Sequence, residues 1–212
     1  MKANPLREGL TRHFSTLQLQ KQSDATVGIA GAGGLGSNIA MALARSGIGH
    51  LVIIDRDHLE PSNLNRQHYW PSQLGEKKVQ ALASHLQALD WELDLEILHE
   101  ELTGDNIPAL VHKAQIWVEA LDDPYAKKLL VDTALALGYP VIAASGIAGY
   151  GGSPLGKRKI GQLILIGDLQ TSTDMEPPLA PRVMQAAGLM ADAVLEIVLE
   201  TSLAPTLPQR DW

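Results

Sequence analysis

The chain of 212 residues contains no cysteine. Disulfides, thiolate zinc sites, a cysteine nucleophile and a thioester carrier are therefore excluded within it. It also lacks any apolar run approaching the ~20 residues of a membrane-spanning helix. Its N-terminal stretch, MKANPLREGLTRHF, has no hydrophobic signal core, so a cytoplasmic protein is expected. Positive charge is in deficit: Lys and Arg number 17 against 24 Asp and Glu, a net charge of −7 with a pI near 5.4. That balance argues against non-specific binding to nucleic acid or a membrane surface. What remains is a globular composition, 45% hydrophobic and 19% charged, in 22.8 kDa, enough for one substantial core.

Residues 1–24 read as a polar arm with a short amphipathic helix over Thr16–Ser23; its Arg7 and Arg12 read as solvated. Residues 25–212 read as one domain. Strands are predicted at Thr26–Ala30 and His50–Ile54, the latter continuously apolar as in a parallel strand covered on both faces. A helix over Leu35–Arg45 lies between them and ends at Gly47 and Gly49. A polar connection, Asp57–Pro71, leads to a helix over Glu76–Leu89 and a half-buried strand carrying Leu93, Leu95 and Ile97. Thr103–His112 reads as a helix against the resistance of Pro108. The strand Ile116–Val118 runs into Glu119-Ala120-Leu121-Asp122-Asp123, followed by a helix over Pro124–Leu137 and a strand over Pro140–Ala144. Ser145–Gly156 is a glycine- and serine-rich loop, and Lys159–Ile166 a further strand that need not be parallel. Residues 168–180 are expected to be poorly ordered, Pro181–Glu200 helical with a stripe of Val183, Ala187, Met190, Val194 and Ile197, and the tail irregular. The alternation predicts a doubly wound, Rossmann-like α/β fold with a mostly parallel sheet, flanking helices and a possible antiparallel extension near the C-terminus. Its ligand crevice lies at the carboxyl ends of the strands.

The run Gly31-Ala32-Gly33-Gly34-Leu35-Gly36 follows the first strand and opens a helix, and Asp55 closes the second strand. That is the pattern of a nucleotide-binding βαβ unit, with glycines for a tight turn and close phosphate approach and an acid for the ribose. Alone it favours a nicotinamide or flavin enzyme. Arg66 and Lys78 are cations where a nucleotide phosphate would lie, and phosphoryl or nucleotidyl transfer needs positive charge on its oxygens. Asn63 offers an amide to the nucleotide, and Asp122, at a strand end, offers a carboxylate to Mg²⁺. Singly, each has a plain alternative: surface cations, and Asp122 as a helix cap before Pro124.

The stretch GAGGLGSNIAMALARSGIGHLVIIDRDHLEPSNLNRQ, with LGEKKV after it, resembles the ThiF/MoeB branch of the ubiquitin-activating-enzyme superfamily. The resemblance runs from about Arg12 to Ile142. REGLTRHF, AASGIAGYG and LAPRV bring it nearest to the short ThiF proteins of thiamine biosynthesis. It implies an adenylyltransferase that uses MgATP to activate the C-terminal Gly-Gly carboxylate of a small ubiquitin-like sulfur carrier, ThiS-like, releasing pyrophosphate. It implies nucleotide contacts from Gly31, Gly33, Gly34, Gly36, Asp55, Asp57, Ser62, Asn63, Arg66, Gln67, Lys78 and Asp122, with Asp122 on the magnesium. Arg66, Lys78 and Arg12 would be catalytic, Arg12 reaching into the partner's site of a homodimer. Asp122-Asp123 departs from the Asp-Asn common among relatives, and Lys127 stands where an Arg often does. The paired Cys-X-X-Cys motifs of longer relatives and their transfer cysteine are missing, so this chain should stop at the acyl-adenylate. Alternatives are activation of another carboxylate or a tRNA nucleoside, an NAD-dependent oxidoreductase, and a non-catalytic scaffold.

Overall fold

The computed structural model describes residues 3–200; the tail expected to be irregular lies outside them. Two short helices open the chain, α1 (Pro5–Leu10) and α2 (Thr16–Asp24). A parallel core then alternates β1 (Thr26–Ala30), α3 (Gly34–Arg45), β2 (His50–Ile54), α4 (Lys78–Leu89), β3 (Asp94–Leu98), α5 (Ile107–Leu110), β4 (Ile116–Glu119), α6 (Pro124–Ala136) and β5 (Val141–Ala144). A hairpin, β6 (Gly156–Ile160) with β7 (Leu163–Gly167), and the long α7 (Ala180–Glu200) follow. The seven strands form one sheet in the order β3-β2-β1-β4-β5-β7-β6, parallel except for the β6–β7 pair. This is the doubly wound arrangement that the alternation predicts. Its order turns between β1 and β4, where the chain leaves β1 toward β2 on one side and later returns to the other.

β1 is buried along its whole length, with Ala30 paired to Ile54 on one side and Glu119 on the other. Helices α3, α4 and α7 pack Ile39, Leu43, Leu82, Leu86, Met190 and Val194 onto one face of the sheet. Ile107, Val111 and Leu130 cover the other, in one cluster with Trp117 of β4. Each such side chain contributes about 1.5–3 kcal/mol by leaving water. Gly28 is required inside β1 because a Cβ there would press into the Trp117 ring at 2.7 Å.

Three expectations are corrected. The stretch Lys159–Ile166 is a hairpin: Gly161, with φ of 60°, turns the chain so that Ile160 pairs with Leu163. A positive φ at a two-residue connection matches the twist of antiparallel strands. The helix over Thr103–His112 shrinks to α5 and a 3₁₀ turn, Val111–Lys113. Pro108 cannot continue an upstream helix, and Asn106 instead accepts the Thr103 N–H at 2.8 Å. Residues 168–180 are tied down through Asp168, whose carboxylate receives the N–H groups of Gln170 and Thr171 and the Arg182 guanidinium.

The arm also departs from a solvated reading. Arg7 donates to the fully buried Asp90 at 3.0 Å, Asn4 donates to the same carboxylate, and Lys21 reaches the Leu199 carbonyl oxygen at 2.7 Å. Gly49, just before β2, donates to the Gln22 carbonyl oxygen at 2.9 Å. The arm is thus fastened near the amino ends of β2 and β3, away from their carboxyl ends. Arg12 itself is exposed.

Candidate active site

Two cavities open at the carboxyl ends of the strands, separated and joined by the same short wall, Ala120-Leu121-Asp122. The smaller, of about 360 Å³, is bounded by Gly31, Gly33, Asp55, Asp57 and Lys78. The larger, of about 830 Å³, is bounded by Gly34, Arg66, Leu169 and Val183. Both lie at the turn of strand order, where ligands of open α/β sheets bind.

Local chemistry explains the glycine loop. Gly31 takes φ of 97° and donates its N–H to the Ile54 carbonyl oxygen at 2.8 Å; a Cβ there would collide with the Ala120 carbonyl. A Cβ on Gly36 would collide with the Gly31 carbonyl oxygen. Those two glycines serve the fold. At Gly33, by contrast, a Cβ would meet only Gln67 Nε2 at 3.8 Å, so the space over it is open. No side chain caps the N-terminus of α3, which begins here. Exposed N–H groups at a helix start, with the helix dipole behind them, suit an anion. Gly34 is packed instead, its missing Cβ leaving room for Val183 and the stem of Arg66.

Asp55 accepts the Ala32 N–H and the Asp57 N–H, each at 2.7 Å. Burial pushes its carboxyl up, while those two donors and the Lys78 charge oppose the rise. Lys78 is buried, and its Nζ donates to Asp57 Oδ2 at 2.7 Å. Lys77 bridges to His58 and Asp57 O accepts the Lys78 N–H, so α4 begins at Lys78, not at Glu76. That bridge delivers the cation to the cleft.

The polar run after Asp57 is latched to α3. Asn38 donates to the carbonyl oxygens of Gly34 and Arg66, and Ser37 Oγ receives the His68 N–H. Tyr69 donates to the Ala32 carbonyl oxygen at 2.8 Å, and burial raises its hydroxyl pKa far above the ordinary value. Arg66 donates to Ser62 O and to Asn65 Oδ1 and stands at the larger cavity. Asn63 turns inward, its Oδ1 accepting the Glu60 N–H at 3.0 Å. Gln67 is buried beside the glycine loop with its Oε1 unpartnered. Gly36, Ser62, Asn63, Gln67 and Arg12 border neither cavity.

Asp123, not Asp122, caps α6 by accepting the Ala126 N–H at 2.7 Å. Asp122 is exposed, borders both cavities and, among the described residues, makes no side-chain hydrogen bond. Its turn is set by Glu119, a fully buried acid whose role sequence reading missed. Glu119 accepts the Leu121 N–H at 2.7 Å and pairs with Lys127 of α6. Burial raises the Glu119 carboxyl, with Lys127 opposing. The signals were an acid ending an apolar strand and a lysine one helical turn into α6. Among the described residues, no group of three or more His, Cys, Asp or Glu side chains is placed to hold a metal ion.

Fold and site together define a doubly wound α/β protein with an anion-ready helix start and a charged, two-chambered crevice at its switch point. The chain matches the ThiF family over residues 7–210, and it belongs to that family. It is 34% identical over 134 residues to the sulfur carrier protein ThiS adenylyltransferase of Escherichia coli, covering 63% of this chain and 53% of that one. To the Bacillus subtilis protein of the same name it is 33% identical over 135 residues, covering 62% and 40%. The chain thus spans about half or less of the length of these relatives. Among solved structures, the E. coli tRNA N6-threonylcarbamoyladenosine dehydratase in complex with AMP superimposes with a TM-score of 0.82 at 19% identity, covering 91% of this chain and 93% of that one, a likeness of fold.

Proposed function

We propose that this chain is an ATP-dependent adenylyltransferase acting on the C-terminal Gly-Gly carboxylate of a small, ubiquitin-like, ThiS-type sulfur carrier in thiamine biosynthesis. The observation that carries this reading is the shared wall: Asp122 stands between a cavity with a glycine loop, Asp55 and Lys78 and a second cavity entered past Arg66. Membership of the ThiF family and the names of the ThiS adenylyltransferases support the same class of reaction.

In this reading the smaller cavity takes ATP. The ribose faces Asp55, and the phosphates face Gly33, the free N–H groups of α3 and Lys78. The larger cavity takes the carrier's tail. A carboxylate oxygen attacks the α-phosphorus and the bond to pyrophosphate breaks, leaving an acyl-adenylate. No general base is needed, because a terminal carboxylate is already ionised at neutral pH. Catalysis is alignment, which supplies roughly 7–11 kcal/mol at best, together with stabilisation of charge on phosphate oxygens by Lys78 and Arg66. Asp122 is the residue that would hold Mg²⁺, which would supply further positive charge toward the phosphates; one or two protein carboxylates suffice for this ion. In a cytoplasmic homodimer, Arg12 of one subunit completes the other's site. With no cysteine among its 212 residues, this chain carries the reaction no further than the acyl-adenylate.

Pyrophosphate exchange into ATP is the test. Exchange is expected with the ThiS carrier of E. coli and is lost when its terminal Gly-Gly is removed. Exchange that depends on tRNA instead, or ATP binding without exchange, overturns the reading.

A further inference from the structure

Leu169 is the one non-glycine residue, among those described, in the left-handed backbone region, with φ of 61°. A side chain costs energy there because its Cβ crowds the backbone carbonyl, and glycine fills such positions without cost. The surroundings enforce the conformation. Asp168 N–H donates to Gly146 O at 3.0 Å and Leu169 N–H to Ser145 O at 3.2 Å. Asp168 Oδ1 accepts the Gln170 N–H at 2.8 Å and the Thr171 N–H at 2.9 Å. The same carboxylate pairs with Arg182, which also donates to Gly151 O at 2.7 Å and Ser153 O at 3.1 Å. The Asp168 and Arg182 side chains are only 2% and 7% exposed. A buried ion pair thus binds the end of β7, the glycine-rich loop and the start of α7 into one knot, with the strained leucine at its edge.

The position of Leu169 gives that strain a use. Leu169 borders the larger cavity together with Leu35, Leu165 and Val183. A fold needing only the turn is served better by glycine, so a leucine held there against its own preference marks a functional wall. We propose that Leu169 is the specificity-determining residue of the larger cavity, narrowing it so that a tail without side chains reaches Asp122 and a bulkier tail is refused. This rests on the reading of that cavity as the acyl site. It assigns substrate selection to a residue that takes no part in binding nucleotide, since Leu169 does not border the smaller cavity.

Pyrophosphate exchange is measured with the E. coli ThiS carrier and with the same carrier bearing alanine for its penultimate glycine. Wild type, Leu169→Gly and Leu169→Ala are compared. In wild type the Gly-Gly tail is favoured; in both variants that preference falls by about tenfold or more, the scale on which one methyl group is discriminated in an apolar pocket. The dissociation constant for ATP alone stays unchanged. Leu169→Gly melts at or above the wild-type temperature, because the left-handed cost is gone, whereas Leu169→Ala keeps that cost. A wild type active on Gly-Gly whose preference persists in both variants overturns the inference and leaves the adenylation reading standing. A wild type inactive on the Gly-Gly carrier overturns that reading, and the inference with it.

Discussion

At the scale of single residues, the two site cations differ in their resting partners. Lys78 is buried against Asp57, whereas Arg66 lies half-exposed over the start of α3. If both act on phosphate charge, Lys78→Ala and Arg66→Ala should each retain ATP binding by calorimetry. Each should lose ~10²–10³ of the exchange rate, as removal of one charge-stabilising donor does; equal turnover would remove the assigned role. The glycines separate in the same way. A methyl group on Gly36 meets the Gly31 carbonyl, so Gly36→Ala should lower the melting temperature markedly. A methyl group on Gly33 meets open space, so Gly33→Ala should cost far less stability while weakening ATP binding; the two readouts are thermal melting and calorimetry. From the sequence these glycines look alike. Their division into packed and open positions depends on which carbonyl lies opposite each Cα.

At the scale of elements, the loops that frame the crevice are held by polar side chains reaching across the chain. Asn38 and Ser37 latch the run after Asp57 to α3, Tyr69 ties it to the glycine loop at Ala32, and Asp168 with Arg182 fastens the segment before α7. Burial alone would raise the Asp168 carboxyl. The N–H groups of Thr171 and Gln170, the Thr171 hydroxyl and Arg182 outweigh it and hold the value at about 2, against an ordinary 3.8. A carboxyl lowered in the folded state adds stability above its unfolded value and loses it as pH falls through the folded one. Urea unfolding across acid pH should therefore place Asp168→Asn well below wild type at neutral pH. The gap should close as pH falls from 3.8 toward 2. A constant gap would mean that the carboxylate's charge contributes nothing to the knot.

At the scale of the whole molecule, the arm that carries Arg12 is fastened near the amino ends of the strands, and Arg12 borders neither cavity of its own chain. Its proposed role therefore requires a second copy with two-fold symmetry, in which each arm serves the other's crevice. Arg12→Ala and Asp122→Ala should each be inactive in pyrophosphate exchange. Equimolar subunit mixing should restore about a quarter of wild-type activity, the share of intact sites in randomly paired dimers. No recovery after verified exchange of subunits would remove the cross-subunit role.

The sequence by itself determined the parallel core, the glycine loop and the acid at the end of β2, because each rests on neighbours in the chain: strand periodicity, turn chemistry and the spacing of one βαβ unit. It also placed Lys78, Arg66 and Asp122 near strand ends or in the connections between them. Tertiary structure decided which cavity each faces, that Asn63 and Gln67 turn inward, and that Asp123 rather than Asp122 caps α6. It alone revealed the Glu119–Lys127 pair behind the shared wall, the Arg7–Asp90 anchor and the Asp168–Arg182 knot. The hairpin of β6 and β7 had a local sign in Gly161, yet one apolar run concealed it. The physical reason is common to these cases. An ion pair or an inward-facing amide depends on where distant segments cross, and side-chain type carries no information about the partner until the chain has folded around it.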